Sequence, residues 1–290
     1  MVLRLTSGIK SFVNFCANSN NVTVIRDCMT PPAASNPNCY AQHLCDCRGP
    51  VNGEHVVSRS LLEAIWQGEK GGRVHGLTFL RAAPDNPALM GIKALTAKIL
   101  CTGHNSDLSP FDTEITKLFN AKERQLLGEI DGDPVGTNSY VSGDFIERWM
   151  LKTLCNGVFS GNFPVPFVNS FEGQLPPDEC VRTIWRSAPL PTRHGVYVSH
   201  DSLPVNHENV FKLAVVGDPS GIVGLRMWML GSLFTLVLTD DHAPFPELVT
   251  ATYRPRKIVT RHSRNAVVFS WTGGQSGTVL EVNYSDLPTG

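Results

Sequence analysis

The sequence has almost no charge imbalance. Its 25 Lys and Arg stand against 26 Asp and Glu, a formal net charge of −1. That excludes a global basic surface able to hold a protein on nucleic acid by itself, because such binding draws on many cations at once. Any nucleic-acid role must rest on a local patch or on metal chemistry. Charged residues are few, 18%, against 42% hydrophobic, which excludes a disordered chain. The 290 residues can bury a core as one large or two modest domains. Residues Met1 to Asn20 lack a charged start, a long apolar run and a small-residue cleavage site, so no secretion signal is read. Long hydrophobic runs are also scarce. The longest, Ile222 to Leu238, carries Arg226, Gly224, Gly231 and Ser232, which weighs against a membrane span. It reads as two buried strands turning at Gly231-Ser232. A soluble cytoplasmic protein is the expectation. No internal repeat is visible, and Gly273 to Gly277 lacks the Lys-Ser/Thr ending of a phosphate loop.

Cysteine is present in an even number, 8, which would suit disulfides in a secreted protein. Without a secretion signal, clustered cysteines point to metal ligands or buried apolar fillers. Cys16, Cys28, Cys39, Cys45, Cys47 and Cys101 all fall in the first third. Cys155 and Cys180 stand alone and read as core.

The spacing of Leu61, Leu62, Ile65 and Trp66 predicts a short helix over Ser60 to Gln67, and Lys93 to Leu100 reads as a strand or helix feeding Cys101. A second helix starts near Ser109, with Pro110 and Asp112 in its first turn and Ile115, Leu118 and Phe119 on its buried face. Asp112 reads as a helix-start residue rather than a ligand. Residues 128–139 read as a linker or exposed turn, and a further helix is expected over Asp144 to Cys155. From about Val196 the pattern changes to short β-like runs between turns. A basic run, Arg254, Arg256, Lys257, Arg261, His262 and Arg264, reads as the solvated face of a hairpin, with phosphate binding as the alternative. Trp149, Trp185, Trp228 and Trp271 read as core.

Three elements line up in order: Cys45-Asp46-Cys47; Glu54-His55 followed by Arg59 and Ser60; and Leu100-Cys101-Thr-Gly-His104-Asn105, running on to Asp112. Two thiols upstream and Cys101-x-x-His104 downstream supply the four ligands of a tetrahedral structural zinc. The Cys-x-Cys gap is tight, so His43 or Cys39 can replace one of the upstream thiols.

This order resembles the HNH nuclease family, in particular bacterial members that read Glu-His-Val-Ile/Val-x-x-Ser and later Leu-Cys-x-x-His-Asn-Ser-x-Leu-Ser-x-x-Asp. The stretch Glu147 to Leu154 is also similar, so the resemblance covers about residues 39–155. It implies that His55 is the general base, that Glu54 and Asn105 hold one divalent cation, Mg²⁺ or Mn²⁺, and that Cys45, Cys47, Cys101 and His104 hold Zn²⁺. Arg59 and Arg48 would bind the phosphate. The interval from His55 to Cys101 is longer than in compact members, and Asn86 is the candidate for the family's middle Asn. The implied fold is α+β: a zinc-braced ββα-metal module over 1–127, then a helical connector and a β-rich accessory domain over 128–290. The implied activity is DNA phosphodiester hydrolysis, with bacterial defence as a setting. A second copy or a regulatory partner would meet the C-terminal domain. The alternative is a non-catalytic zinc-knuckle module that binds nucleic acid or protein.

Overall fold

Apolar runs in the C-terminal half build the main sheet, and one apolar helix fills the space beneath it. The structure, a computed structural model, describes residues 2–3, 36–67, 69, 71–74, 88–131, 136–163, 176–200, 210–218, 221–261, 263–273 and 277–282. In chain order the first strands and helices are β1 (Val2–Leu3), β2 (Val51–His55), α1 (Arg59–Ile65), β3 (Gly71–Val74), β4 (Ala88–Gly91), β5 (Thr96–Cys101), α2 (Thr102–Ser106) and α3 (Ser109–Asp131). Then come β6 (Asn138–Ser142), α4 (Gly143–Phe159), α5 (Asp178–Arg186), β7 (Gly195–His200), β8 (Phe211–Asp218), β9 (Gly221–Met229) and β10 (Ser232–Val237). The last strands are β11 (Thr252–Tyr253), β12 (Lys257–Thr260), β13 (Ala266–Ser270) and β14 (Val279–Val282). The protein is thus mixed α and β, as the sequence led one to expect.

A six-stranded sheet runs in the order β1-β8-β9-β10-β7-β11, and a four-stranded sheet runs β14-β12-β13-β6. β9 and β10 form the expected hairpin. Its turn falls at Leu230 (φ 45°) and Gly231 (φ 73°), one residue earlier than read. Positive φ at both central positions is what a two-residue turn needs to follow strand twist. Arg226 lies buried in β9 with its guanidinium 2.6 and 2.9 Å from the carboxylate oxygens of Glu247. A buried charge is tolerated only when paired in this way. No helix among the described residues is long and apolar enough to cross a membrane.

The stretch 128–139, read as a linker or exposed turn, is regular structure at both ends, and 132–135 lie outside the described residues. α3 continues through Gly128 to Asp131, and Asn138 opens β6, which pairs in parallel with β13 from Asn138↔Ala266 to Ser142↔Ser270. Gly128 is required for close packing, since a Cβ there would lie 2.5 Å from Ser263 Oγ. α3 therefore carries the chain across position 127 and bonds the C-terminal sheet directly, with Gln125 Nε2 donating to the carbonyls of Ile258 and Asn265 at 3.0 and 3.1 Å.

α4 starts one residue earlier than expected and runs four residues further. Ser142 caps it, its Oγ accepting from Phe145 N–H at 3.3 Å. The helix is buried almost all round and packs on α3, α5, β5, β9, β10 and β13. One hydrophobic core reaches from Cys39 to Val282 around it. Its four buried polar side chains Glu147, Lys152, Thr153 and Asn156 follow from that central place. Three of them find partners at distant positions in the chain.

Candidate metal centre

β2 and β5 pair antiparallel, with a bulge at Asn52/Gly53, and β5 leads straight into α2. This strand–strand–helix unit is short and has little core of its own. The segment before it is fixed by Tyr40 N–H, which donates to Ile99 O at 3.1 Å, and the chain at 48–50 folds onto the start of α2. There Gly103 N–H donates to Arg48 O and Thr102 N–H to Pro50 O, both at 2.9 Å. Cys101 is the N-cap of α2, so the first helical turn brings His104 back beside it.

Three thiols meet one imidazole here. His104 Nδ1 lies 3.2 Å from Cys101 Sγ, 3.4 Å from Cys39 Sγ and 3.8 Å from Cys47 Sγ. All four residues are buried, and their ligand atoms lie within 4.8 Å of one another. A tetrahedral zinc with Zn–S of about 2.3 Å and Zn–N of about 2.0–2.1 Å has S···N edges of about 3.5 Å. The observed edges scatter about that figure, so the donor set and its size fit a metal ion such as zinc. Burial pushes the Cys39 thiol up to about 12 and also raises Cys47. Burial works the same way on Cys101, but the backbone N–H groups of His104 and Arg48, 3.5 and 3.4 Å away, pull it below its ordinary value. Burial also lowers the His104 pKa and favours the neutral, ligating imidazole.

The ligand set differs from the expected one in one member: Cys39 stands where Cys45 was placed. Cys45 ends the 3-10 turn Gln42–Leu44 in a left-handed backbone conformation (φ 58°). That breaks the extended geometry needed to set residues 45 and 47 on the same side. Cys45 is also disulfide-bonded, and a disulfide sulfur has no thiolate to offer. Cys39, Cys47, Cys101, Cys155 and Cys180 are free thiols. His43, the other alternative, lies outside the group, its Nε2 3.4 Å from Asp178 Oδ1.

The Glu54-His55 pair ends β2. Glu54 is buried, and its Oε1 accepts from Lys152 Nζ at 2.8 Å and Asn156 Nδ2 at 3.2 Å. The same ammonium lies 3.0 Å from Asp112 Oδ1. Asp112 accepts from Ser58 Oγ, which in turn accepts from Trp149 Nε1 at 2.5 Å. Burial works against the charge on Lys152, but Glu54 and Asp112 more than offset it and its pKa is raised. Asp112 is therefore both the helix-start residue expected in α3 and half of a bridge to α4. Tyr40 OH completes the network by donating to Asn156 Oδ1 at 2.7 Å.

His55 is half-buried, and its Nε2 has no hydrogen-bond partner among the described residues. Burial lowers its pKa, and the nearby charges of Lys152 and Arg59 lower it further. Asn105 turns elsewhere: its Nδ2 donates to Asn52 Oδ1 at 2.7 Å and to Gly53 O at 3.4 Å. Glu54 Oε1 and Asn105 Nδ2 thus each serve other partners. Arg48 pairs with Asp107 at 3.1 Å, and Arg59 with Glu63 at 2.8 Å, both on the surface. Asn86 lies outside the described residues.

The basic run does not form one surface. Arg254 is buried, its Nη2 2.8 Å from Glu147 Oε1, while Arg256, Arg261 and Arg264 are exposed. Sequence reasoning missed Lys152 and Asn156, and held Cys39 only as an alternative. The available signal was Glu147 and Lys152, two of the four charged residues of α4, set among the apolar Ile146, Trp149, Met150, Leu151 and Leu154. Comparison of the chain with protein families, curated proteins and solved structures gives no match.

Proposed function

We propose that the chain is organised around one structural zinc ion held by Cys39, Cys47, Cys101 and His104, and that its strand–strand–helix unit serves binding rather than hydrolysis. The observation that carries this reading is the placement of Lys152. Its ammonium lies 2.8 Å from Glu54 Oε1 and 3.0 Å from Asp112 Oδ1, so the carboxylate that the resemblance assigns to a divalent cation is already paired with a buried cation. Zinc, when bound, ties the 39–47 segment to the start of α2 and substitutes for the core that this short unit lacks. DNA enters as the ligand through the sequence resemblance, with Arg48 and Arg59 as the exposed cations next to the unit. The test is a pair of measurements on the purified chain: metal content, and binding to duplex DNA across a salt series. One zinc per chain, with DNA binding that weakens as salt rises, supports the proposal. A zinc-loaded chain with no affinity for DNA at low salt removes DNA as the ligand.

A specific observation favours a second reading, HNH-type phosphodiester hydrolysis with His55 as general base. Burial lowers the imidazole pKa, and the buried Nε2 has no hydrogen-bond partner among the described residues, which leaves a lone pair open to accept a proton. Nicking of plasmid by the chain in Mg²⁺ or Mn²⁺, abolished in His55→Ala, would establish hydrolysis in place of simple binding.

A further inference from the structure

The metal centre is gripped from outside by a helix that supplies no ligand. His104 presents Nδ1 to the thiols, and its other ring nitrogen, Nε2, lies 2.8 Å from Asp46 Oδ1. The second carboxylate oxygen of Asp46 accepts from Arg186 Nη2, at the end of α5. One residue earlier on that helix, Trp185 Nε1 donates to His104 O at 3.1 Å, and its ring stands edge-on to the imidazole at 5.3 Å. Asp46, between two cysteines, and Arg186, 140 positions away, thus converge on one ligand.

We infer that Asp46 and Arg186 are the positioning residues of this centre, and that metal occupancy and the docking of α5 are a single coupled equilibrium. The inference rests on the metal reading above. A ligating imidazole is oriented by the hydrogen bond its other nitrogen makes, and loss of such a partner typically weakens metal binding 10- to 100-fold. With Nε2–H donated to Asp46, Nδ1 keeps the lone pair that a metal needs. Arg186 fixes the carboxylate, so its hold on Asp46 is felt at the metal. Coupling between two sites is reciprocal. Removing the metal must therefore loosen α5.

The test uses the full chain with zinc or cobalt(II) alone as the probe, measuring affinity by chelator competition and the ligand set by the cobalt absorption spectrum. Arg186→Ala is the decisive variant, because its side chain is 49% exposed and its removal leaves the core intact. It should lower affinity about tenfold while leaving the cobalt spectrum unchanged. Asp46→Ala should lower it further. Asp46→Asn, whose amide oxygen still accepts from Nε2–H, should fall between Asp46→Ala and the unaltered chain. Chelation should speed amide exchange over Asp178–Arg186. Unchanged affinity in Arg186→Ala, or unchanged exchange in α5 on chelation, overturns the coupling while the metal centre stands. Failure of the unaltered chain to bind cobalt or zinc overturns the metal reading itself.

Discussion

The ammonium of Lys152 lies 2.8 Å from Glu54 Oε1, with none of the Lys152 side chain and 5% of the Glu54 side chain exposed. The two residues are 98 positions apart, and the contact fastens β2 to α4. Removing one partner of such a pair leaves a buried charge without compensation, which costs about 3–5 kcal/mol. Lys152→Met should therefore lower unfolding stability by about that amount in urea denaturation, since it strands both Glu54 and Asp112. A loss below about 1 kcal/mol, the range of exposed ion pairs, would show that the pair is solvated.

His55 supplies a pH signature. Its folded pKa lies below the ordinary value of 6.5, first through burial and then through Lys152 and Arg59. As pH falls through 6.5, the unfolded chain takes up the proton first. Stability contributed by the neutral imidazole is present above that pH and drops as pH falls, until the folded imidazole also titrates. The His55 ring resonances should titrate with a midpoint below 6.5 in NMR. His55→Gln should flatten the stability–pH curve in that window, and a midpoint at or above 6.5 would contradict the burial.

Arg254 separates the two readings of the basic run. It is buried against Glu147, donates to Gly273 O, and lies 5.2 and 5.4 Å from the rings of Tyr253 and Trp271. Arg254→Ala should cost about 3–5 kcal/mol in thermal or urea unfolding. Arg261→Ala, on the exposed surface, should stay within about 0.5 kcal/mol. Equal effects would return Arg254 to the surface.

What could be read in the sequence was local. The hairpin of β9 and β10 was visible because apolar residues crowd both sides of a glycine turn. Cys101 and His104 were visible because residues three apart share one face of a helical turn. Cys47 was visible through a separate element, Cys45-Asp46-Cys47. The choice of Cys39 over Cys45 was not legible, since it depends on a left-handed backbone at Cys45 and on Tyr40 anchoring its segment to β5. The extent of α3 was hidden by Gly128, which costs about 1 kcal/mol in a helix yet is required beneath Ser263. The pairing of β6 with β13 and the bridge from Lys152 to Glu54 join residues more than ninety positions apart, and no spacing rule reaches that far.

Cys39 as the fourth ligand defines this centre. Metal content of the purified chain, compared with that of Cys39→Ser and Cys45→Ser, tests it most directly. One zinc per chain is expected in the unaltered protein and in Cys45→Ser, and loss of the zinc in Cys39→Ser. A Cys39→Ser chain that keeps its zinc while Cys45→Ser loses it would contradict the centre described here.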